Sequence, residues 1–120
     1  MTSYKPHPLV GVVLDYADLN PTIGSEINKR RPVLVVSNDA NNHAANVVTV
    51  LPITSNTQRI YSFEVLLDPQ ESSLPKVSKA QAQQIRTISK ERIVSATVKK
   101  LSDELMQQVN AAIKIHLLLE

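Results

Sequence analysis

The stretch "DLNPTIGSEINKRRPVLVVSND", residues 18–39, sets a turn-rich polar loop directly before a run of valine and leucine. Asn20-Pro21 and Gly24 mark a loop with specific backbone demands. Residues 33–36, Val-Leu-Val-Val, have no polar alternation, the pattern of a strand buried on both faces. Pro32 lacks a backbone donor and marks the start of that strand. Arg31 precedes the proline, which biases it towards an extended conformation and anchors its side chain at the edge of a rigid element. A guanidinium there has the geometry to grip a phosphate through two N–H groups. Glu26 stands five residues earlier on the same loop. The residues alone leave two readings open: a structural ion pair between Glu26 and Arg31, or a phosphate site built from Glu26 and the basic triplet Lys29-Arg30-Arg31.

Outward from this stretch, the pattern predicts a first strand over residues 9–14, and "SNDANN" after the core strand favours a turn. A second buried strand is expected over 47–51, ended by Pro52. Over 60–67, Tyr61, Phe63, Val65 and Leu67 fall on one face of a strand, and "DPQESSLPK" reads as a loop. Residues 80–88 are rich in glutamine but alternate well enough for one further strand, with another over 93–98. Leu101, Leu105, Val109, Ile113 and Leu117 recur every four residues, Ser102 is a natural N-cap, and Asp103 and Glu104 follow it. That predicts a helix over 102–118. Five to seven short strands and one long helix make a small α+β domain, a single one over residues 1–120.

The composition narrows the function classes. With no cysteine there is no disulfide framework or thiolate metal site, which fits a reducing cytoplasm. His7, His43 and His116 show no ligand spacing, so no metal is expected. No apolar run approaches a membrane span, and the N-terminal residues lack the pattern of a signal peptide. A net charge of +2 is too small for a generic nucleic-acid coater, so any grip on phosphate must come from a local cluster. Two further polar clusters qualify: Thr54 and Ser55, directly after a buried strand, and "QAQQIRTISKER", which contains Gln84, Arg86 and Thr87. By themselves, the first two hydroxyls can equally satisfy loop backbone, and the second cluster can be a solvated strand face.

Taken in order, "ADLNPTIGSEINKRRPVLVVSNDANN", "VLPITSN", "FEVLL", "QAQQIRTISKERI" and "LSDELMQQV" resemble the MazF/PemK/Kid family of toxins from toxin–antitoxin pairs, over nearly the whole chain from Tyr16 onward. One departure lies upstream. The family's first strand usually carries a basic residue, Gly and an acid, whereas here Gly11 stands one residue farther from Asp18 and no acid follows it. The resemblance implies an SH3-like β-barrel of mainly antiparallel strands with a long C-terminal helix, working as a homodimer. It implies a metal-independent, cofactor-free endoribonuclease that cuts single-stranded RNA, often mRNA, at a short sequence, and a cognate acidic antitoxin that neutralises it. Carried onto this chain, it points to Arg31 and Thr54 as the main catalytic pair, with Glu26 as a functional acid. Lys29, Arg30, Ser55, Gln84, Arg86 and Thr87 are the expected RNA contacts. Two alternatives share the fold: a gyrase-poisoning toxin, disfavoured because the chain ends "HLLLE" without tryptophan, and an inactive RNA-binding regulator, disfavoured because Arg31 and Thr54 are both present.

Overall fold

The computed structural model describes residues 9–19, 30–95 and 99–120. Glu26 and Lys29 lie outside the described residues, as do Ala96, Thr97 and Val98 at the end of the strand expected over 93–98. The described part forms eight strands: β1 (Val12–Asp18), β2 (Arg30–Val35), β3 (Val47–Thr54), β4 (Glu64–Leu67), β5 (Ser78–Gln81), β6 (Arg86–Ser89), β7 (Ile93–Ser95) and β8 (Lys99–Lys100). The sheet runs β4-β5-β3-β2-β1-β7, with β6 also paired to β3 and β8 to β1, and each pairing is antiparallel. It is a curled half-barrel closed on one side by the C-terminal helix, so the α+β architecture expected from the sequence is the one observed.

The unalternating core strand has the predicted cause. Val33 and Val35 face one apolar cluster with Val12, Leu14, Ala17, Val48, Val50 and Ile88. Leu34, between them, faces a second cluster with Leu51, Ile53, Val65, Leu67 and the helix residues Leu105, Val109 and Ala112. Successive strand side chains point to opposite faces, so a strand with both faces covered has no solvent side on which to place polar residues. The helix, α3 (Asp103–Leu117), starts as predicted: Ser102 Oγ accepts from Leu105 N at 3.2 Å, and two acids occupy the first turn.

The first strand runs over Val12–Asp18 and not 9–14. Five further expectations are corrected. β3 does not stop at Pro52 but runs to Thr54. Residues 80–88 are not one strand but β5, a 3₁₀ turn (Ala82–Gln84) and β6. These two corrections have one origin. Three steps along β3, from Ile53 to Val50, match six along the facing chain, from Ala80 to Arg86, and Pro52 lies in the gap. A residue that cannot donate to the ladder is tolerated where the partner leaves the strand. The strand expected over 60–67 begins only at Glu64, because the preceding residues form a turn closed by Glu64 N to Tyr61 O at 2.9 Å. Both polar "loops" hold short helices, α1 (Asp39–Ala44) and α2 (Pro69–Ser72). In the first, Asn38 Oδ1 accepts from Asn41 N at 2.8 Å, and Asp39 Oδ1 accepts from Leu9 N and Val10 N, each at 3.0 Å. The Ser-Asn-Asp run thus ties the β2–β3 connection to the chain entering β1.

β1 carries a bulge: three steps from Leu14 to Ala17 match two on β2, from Val33 to Arg31. Gly11, just before β1, has φ +81°, and a Cβ there would sit 3.3 Å from Cγ and Sδ of Met106 on α3. The left-handed backbone favours glycine at that position, and a Cβ would also press on the flexible Met106 side chain.

Candidate active site

β3 is the strand on which the candidate site is assembled. Its register with β2 is Val33↔Pro52, Leu34↔Leu51 and Val35↔Val50. Arg31 lies two positions before Val33 and Thr54 two beyond Pro52, so the register, continued, brings both to the same end of neighbouring strands. The two-residue period puts Arg31 on the face of Val33 and Thr54 on the face of Val48 and Val50. That is one face, apolar around Val33, Val35, Val48 and Val50 and polar beyond Pro52. Arg31 and Thr54 are both half-buried.

Other strands extend the polar end. Arg86 pairs with Val50 and therefore shares its face; its Nη1 donates to Leu19 O at 3.0 Å, where β1 ends. Arg92 Nη1 donates to Asp18 O at 3.2 Å, so two arginines hold the end of β1 that pairs with Arg30 and Arg31. Arg30 is exposed and stands opposite Asp18 in the β1–β2 register. Thr87 is not brought to this face: it pairs with Thr49 on the opposite one, Oγ1 to Oγ1 at 2.9 Å. Gln84 ends the 3₁₀ turn between β5 and β6 and is half-buried, and Ser55 is exposed directly after Thr54. Thr54 Oγ1 accepts from Asn56 N at 3.2 Å, which leaves its hydroxyl hydrogen to be donated elsewhere.

The sequence reading missed a third part of this face. Lys79 pairs with Thr54 across β3–β5, and Gln81 with Glu64 across β4–β5. Glu64 and Lys79 form an ion pair at 3.0 Å whose side chains are 1% and 9% exposed. The Glu64 carboxylate also accepts from Tyr61 N at 3.0 Å, Gln81 Nε2 at 3.3 Å and Gln83 Nε2 at 2.7 Å. Burial by itself pushes the Glu64 carboxyl up, but the bonds from Tyr61 N–H, Gln83, Lys79 and Gln81 outweigh it and hold the group below its ordinary value of 4.5. The signal was present: a lone glutamate in "FEVLL", and Lys79, Gln81 and Gln83 alternating with Ala80 and Ala82. Period-two polarity with alanine between reads as a solvated face, and only tertiary packing shows that it is covered. Among the described residues no group of three His, Cys, Asp or Glu side chains is placed to hold a metal ion.

Residues 14–117 match the family described as "PemK-like, MazF-like toxin of type II toxin-antitoxin system". The chain belongs to this family. It is 43% identical over 105 residues to Endoribonuclease MazF9 of Mycobacterium tuberculosis, covering 83% of this chain and 88% of that protein. It is 36% identical over 105 residues to Endoribonuclease EndoA of Bacillus subtilis, covering 87% and 90%. Among solved structures, MazF from Deinococcus radiodurans (Form-I) superposes with a TM-score of 0.77 at 23% identity, over 98% of this chain and all of that one, a likeness of fold. A mycobacterial endoribonuclease in complex with its cognate antitoxin matches with a TM-score of 0.73 at 25% identity, over 94% and 97%. The family match spans the whole of the polar face, from β1 to α3.

The Glu64 cluster sets a pH dependence. A carboxyl held lower in the folded chain than in the unfolded one stabilises the fold above its unfolded value, and that contribution disappears as pH falls through the folded value. The wild type should therefore lose part of its stability as pH falls below the ordinary value of 4.5, and Glu64→Gln should remove that part of the loss. Thermal melts across this range check it; parallel acid-side declines in the two proteins would contradict the linkage.

Proposed function

We propose that this chain is the endoribonuclease of a toxin–antitoxin pair, cutting single-stranded RNA at a short sequence without a metal. The observation that carries this reading is the convergence of Arg31 and Thr54 on one polar face at the same end of β2 and β3. Relatives named as endoribonucleases, at 43% and 36% identity, support the activity.

The chemistry needs only groups of this kind. The RNA 2′-hydroxyl loses its proton and attacks the adjacent phosphorus, the bond to the 5′-oxygen breaks, and that oxygen takes up a proton. The products are a 2′,3′-cyclic phosphate and a 5′-hydroxyl. Arg31 offsets the charge gathering on the pentacoordinate phosphorus, and Thr54 donates its hydroxyl hydrogen to a nonbridging oxygen. An arginine is poorly suited to give or take protons near neutral pH, so Arg31 acts through charge. Glu26 is the base or the residue that orients Arg31. Lys29 and Arg30 extend the cationic wall, with Ser55, Gln84 and Arg86 as RNA contacts around it.

The proposal includes a homodimer. Leu118 and Leu119, after α3, are 91% and 58% exposed, and Ile115 and Leu117 are also open to solvent. Burying each such side chain is worth about 1.5–3 kcal/mol, enough for a second copy to be a favourable cover. Light scattering at micromolar concentration should report twice the chain mass; a monomer contradicts the dimer. The inhibitor is an acidic antitoxin segment that covers the Arg30–Arg31 end of β2, a reading supported by the endoribonuclease–antitoxin complex of like fold.

Arg31→Ala should lower the single-turnover cleavage rate by about 100-fold or more while leaving the circular dichroism spectrum unchanged. Thr54→Val should lose less. Cleavage by the wild type should survive excess EDTA, and the 3′ fragment should accept phosphate from a polynucleotide kinase without prior phosphatase treatment. Cutting that EDTA abolishes and Mg²⁺ restores would falsify the 2′-hydroxyl mechanism.

A further inference from the structure

Residues 55–63 leave Thr54 and reach β4 without forming helix or strand. Their course is set by a few hydrogen bonds. Asn56 N donates to Thr54 Oγ1 at 3.2 Å, and Gln58 N donates to Asn56 Oδ1 at 3.4 Å. Farther along, Arg59 O accepts from Lys79 Nζ at 2.7 Å, and Tyr61 N donates to Glu64 Oε1 at 3.0 Å. The last two anchors come from the two members of one buried ion pair. Lys79 is also the cross-strand neighbour of Thr54, so the pair grips both the strand end that carries the hydroxyl and the segment leaving it.

A buried ion pair is a weak source of net stability, because desolvation offsets most of the attraction and an apolar pair of similar volume serves the fold as well. Here Glu64 and Lys79 use their outward hydrogen bonds on the backbone of residues 59 and 61 and on Gln81 and Gln83. Two acceptors of that cluster, Gln81 Oε1 and Gln83 Oε1, are buried without a protein donor among the described residues, a further cost to stability. What the arrangement secures is geometry: Asn56 N donates to Thr54 Oγ1, which ties the segment to the hydroxyl and leaves the hydroxyl hydrogen to be donated elsewhere. We propose that Glu64 and Lys79 are positioning residues for RNA cleavage, fixing residues 55–63 so that Thr54 presents its hydroxyl hydrogen to the scissile phosphate. This rests on the functional reading given above.

The test is steady-state cleavage of a single-stranded RNA by two variants. Glu64→Gln removes the ion pair but keeps the shape, and its new amide can be received by Gln81 Oε1 and Gln83 Oε1 once those side chains turn. Glu64→Leu with Lys79→Met removes both charges and replaces them with apolar groups of similar size. In each, kcat should fall about tenfold to hundredfold with KM little changed, the loss expected when a supporting group is removed behind a catalytic one. Amide hydrogen exchange should accelerate at residues 56–61 while the β3 amides stay protected. A folded variant that cuts at the wild-type rate overturns the proposal, as does a loss that falls wholly in KM with exchange unchanged. Failure of both variants to fold at neutral pH overturns it in favour of a purely structural pair. Wild-type protein that leaves the RNA whole overturns the functional reading itself, and the proposal falls with it.

Discussion

The constraint on which the rest of the structure depends is the register of β3. Its side chains enter two separate apolar clusters in strict alternation, Val48 and Val50 on one side, Leu51 and Ile53 on the other. A slip of one residue would exchange the two sets and bring Thr49 and Thr54 into apolar surroundings, so the register is strongly specified. Both edges of the strand are also occupied, by β2 on one and by β6 and β5 on the other. Thr54 is thus held by the packing of the residues before it, and Arg31, at the far end of β2's register, by the same ladder. The apolar end of the face fixes the polar end.

Precision at the polar end comes from electrostatics as well as packing. Arg86 and Arg92 each donate to a carbonyl at the end of β1, so two charged groups fix where that strand ends. Bonds from a charged donor are stronger than neutral ones. The proposed reactive groups sit at the ends of β2 and β3, and arginines hold the neighbouring end of β1. Residue types that the sequence reading grouped together as RNA contacts therefore divide. Arg86 donates to Leu19 O and shares the face of Val50, whereas Thr87 sits one position on and faces away.

The fold was legible wherever one physical signal dominated. Continuous valine and leucine at 33–36 identified a doubly buried strand, and a four-residue apolar repeat with a serine cap identified α3. Reading failed where two signals compete within a few residues. Pro52 has the local signature of a strand end, yet it sits inside β3 because the opposing strand is interrupted by a 3₁₀ turn at Ala82–Gln84. Asn38 and Asp39 have the signature of turn formers and cap and tether a short helix, since the same side chains serve both purposes. For the site, Arg31 and Thr54 were legible through family motifs, and the structure adds their shared face. Glu64 and Lys79 were not, because a buried charge is recognised only by its partner, fifteen residues away in the chain and adjacent across the sheet.

The central claim is that Arg31 and Thr54 act as one unit on the same phosphate because β2 and β3 hold them together. A double-mutant cycle measures this directly: single-turnover cleavage of one RNA oligonucleotide by wild type, Arg31→Ala, Thr54→Val and the double variant. Groups sharing a transition state are coupled by about 0.5–3 kcal/mol, so the double variant should lose clearly less than the product of the two single losses. Losses that multiply, with all four proteins equally folded, would contradict a shared site.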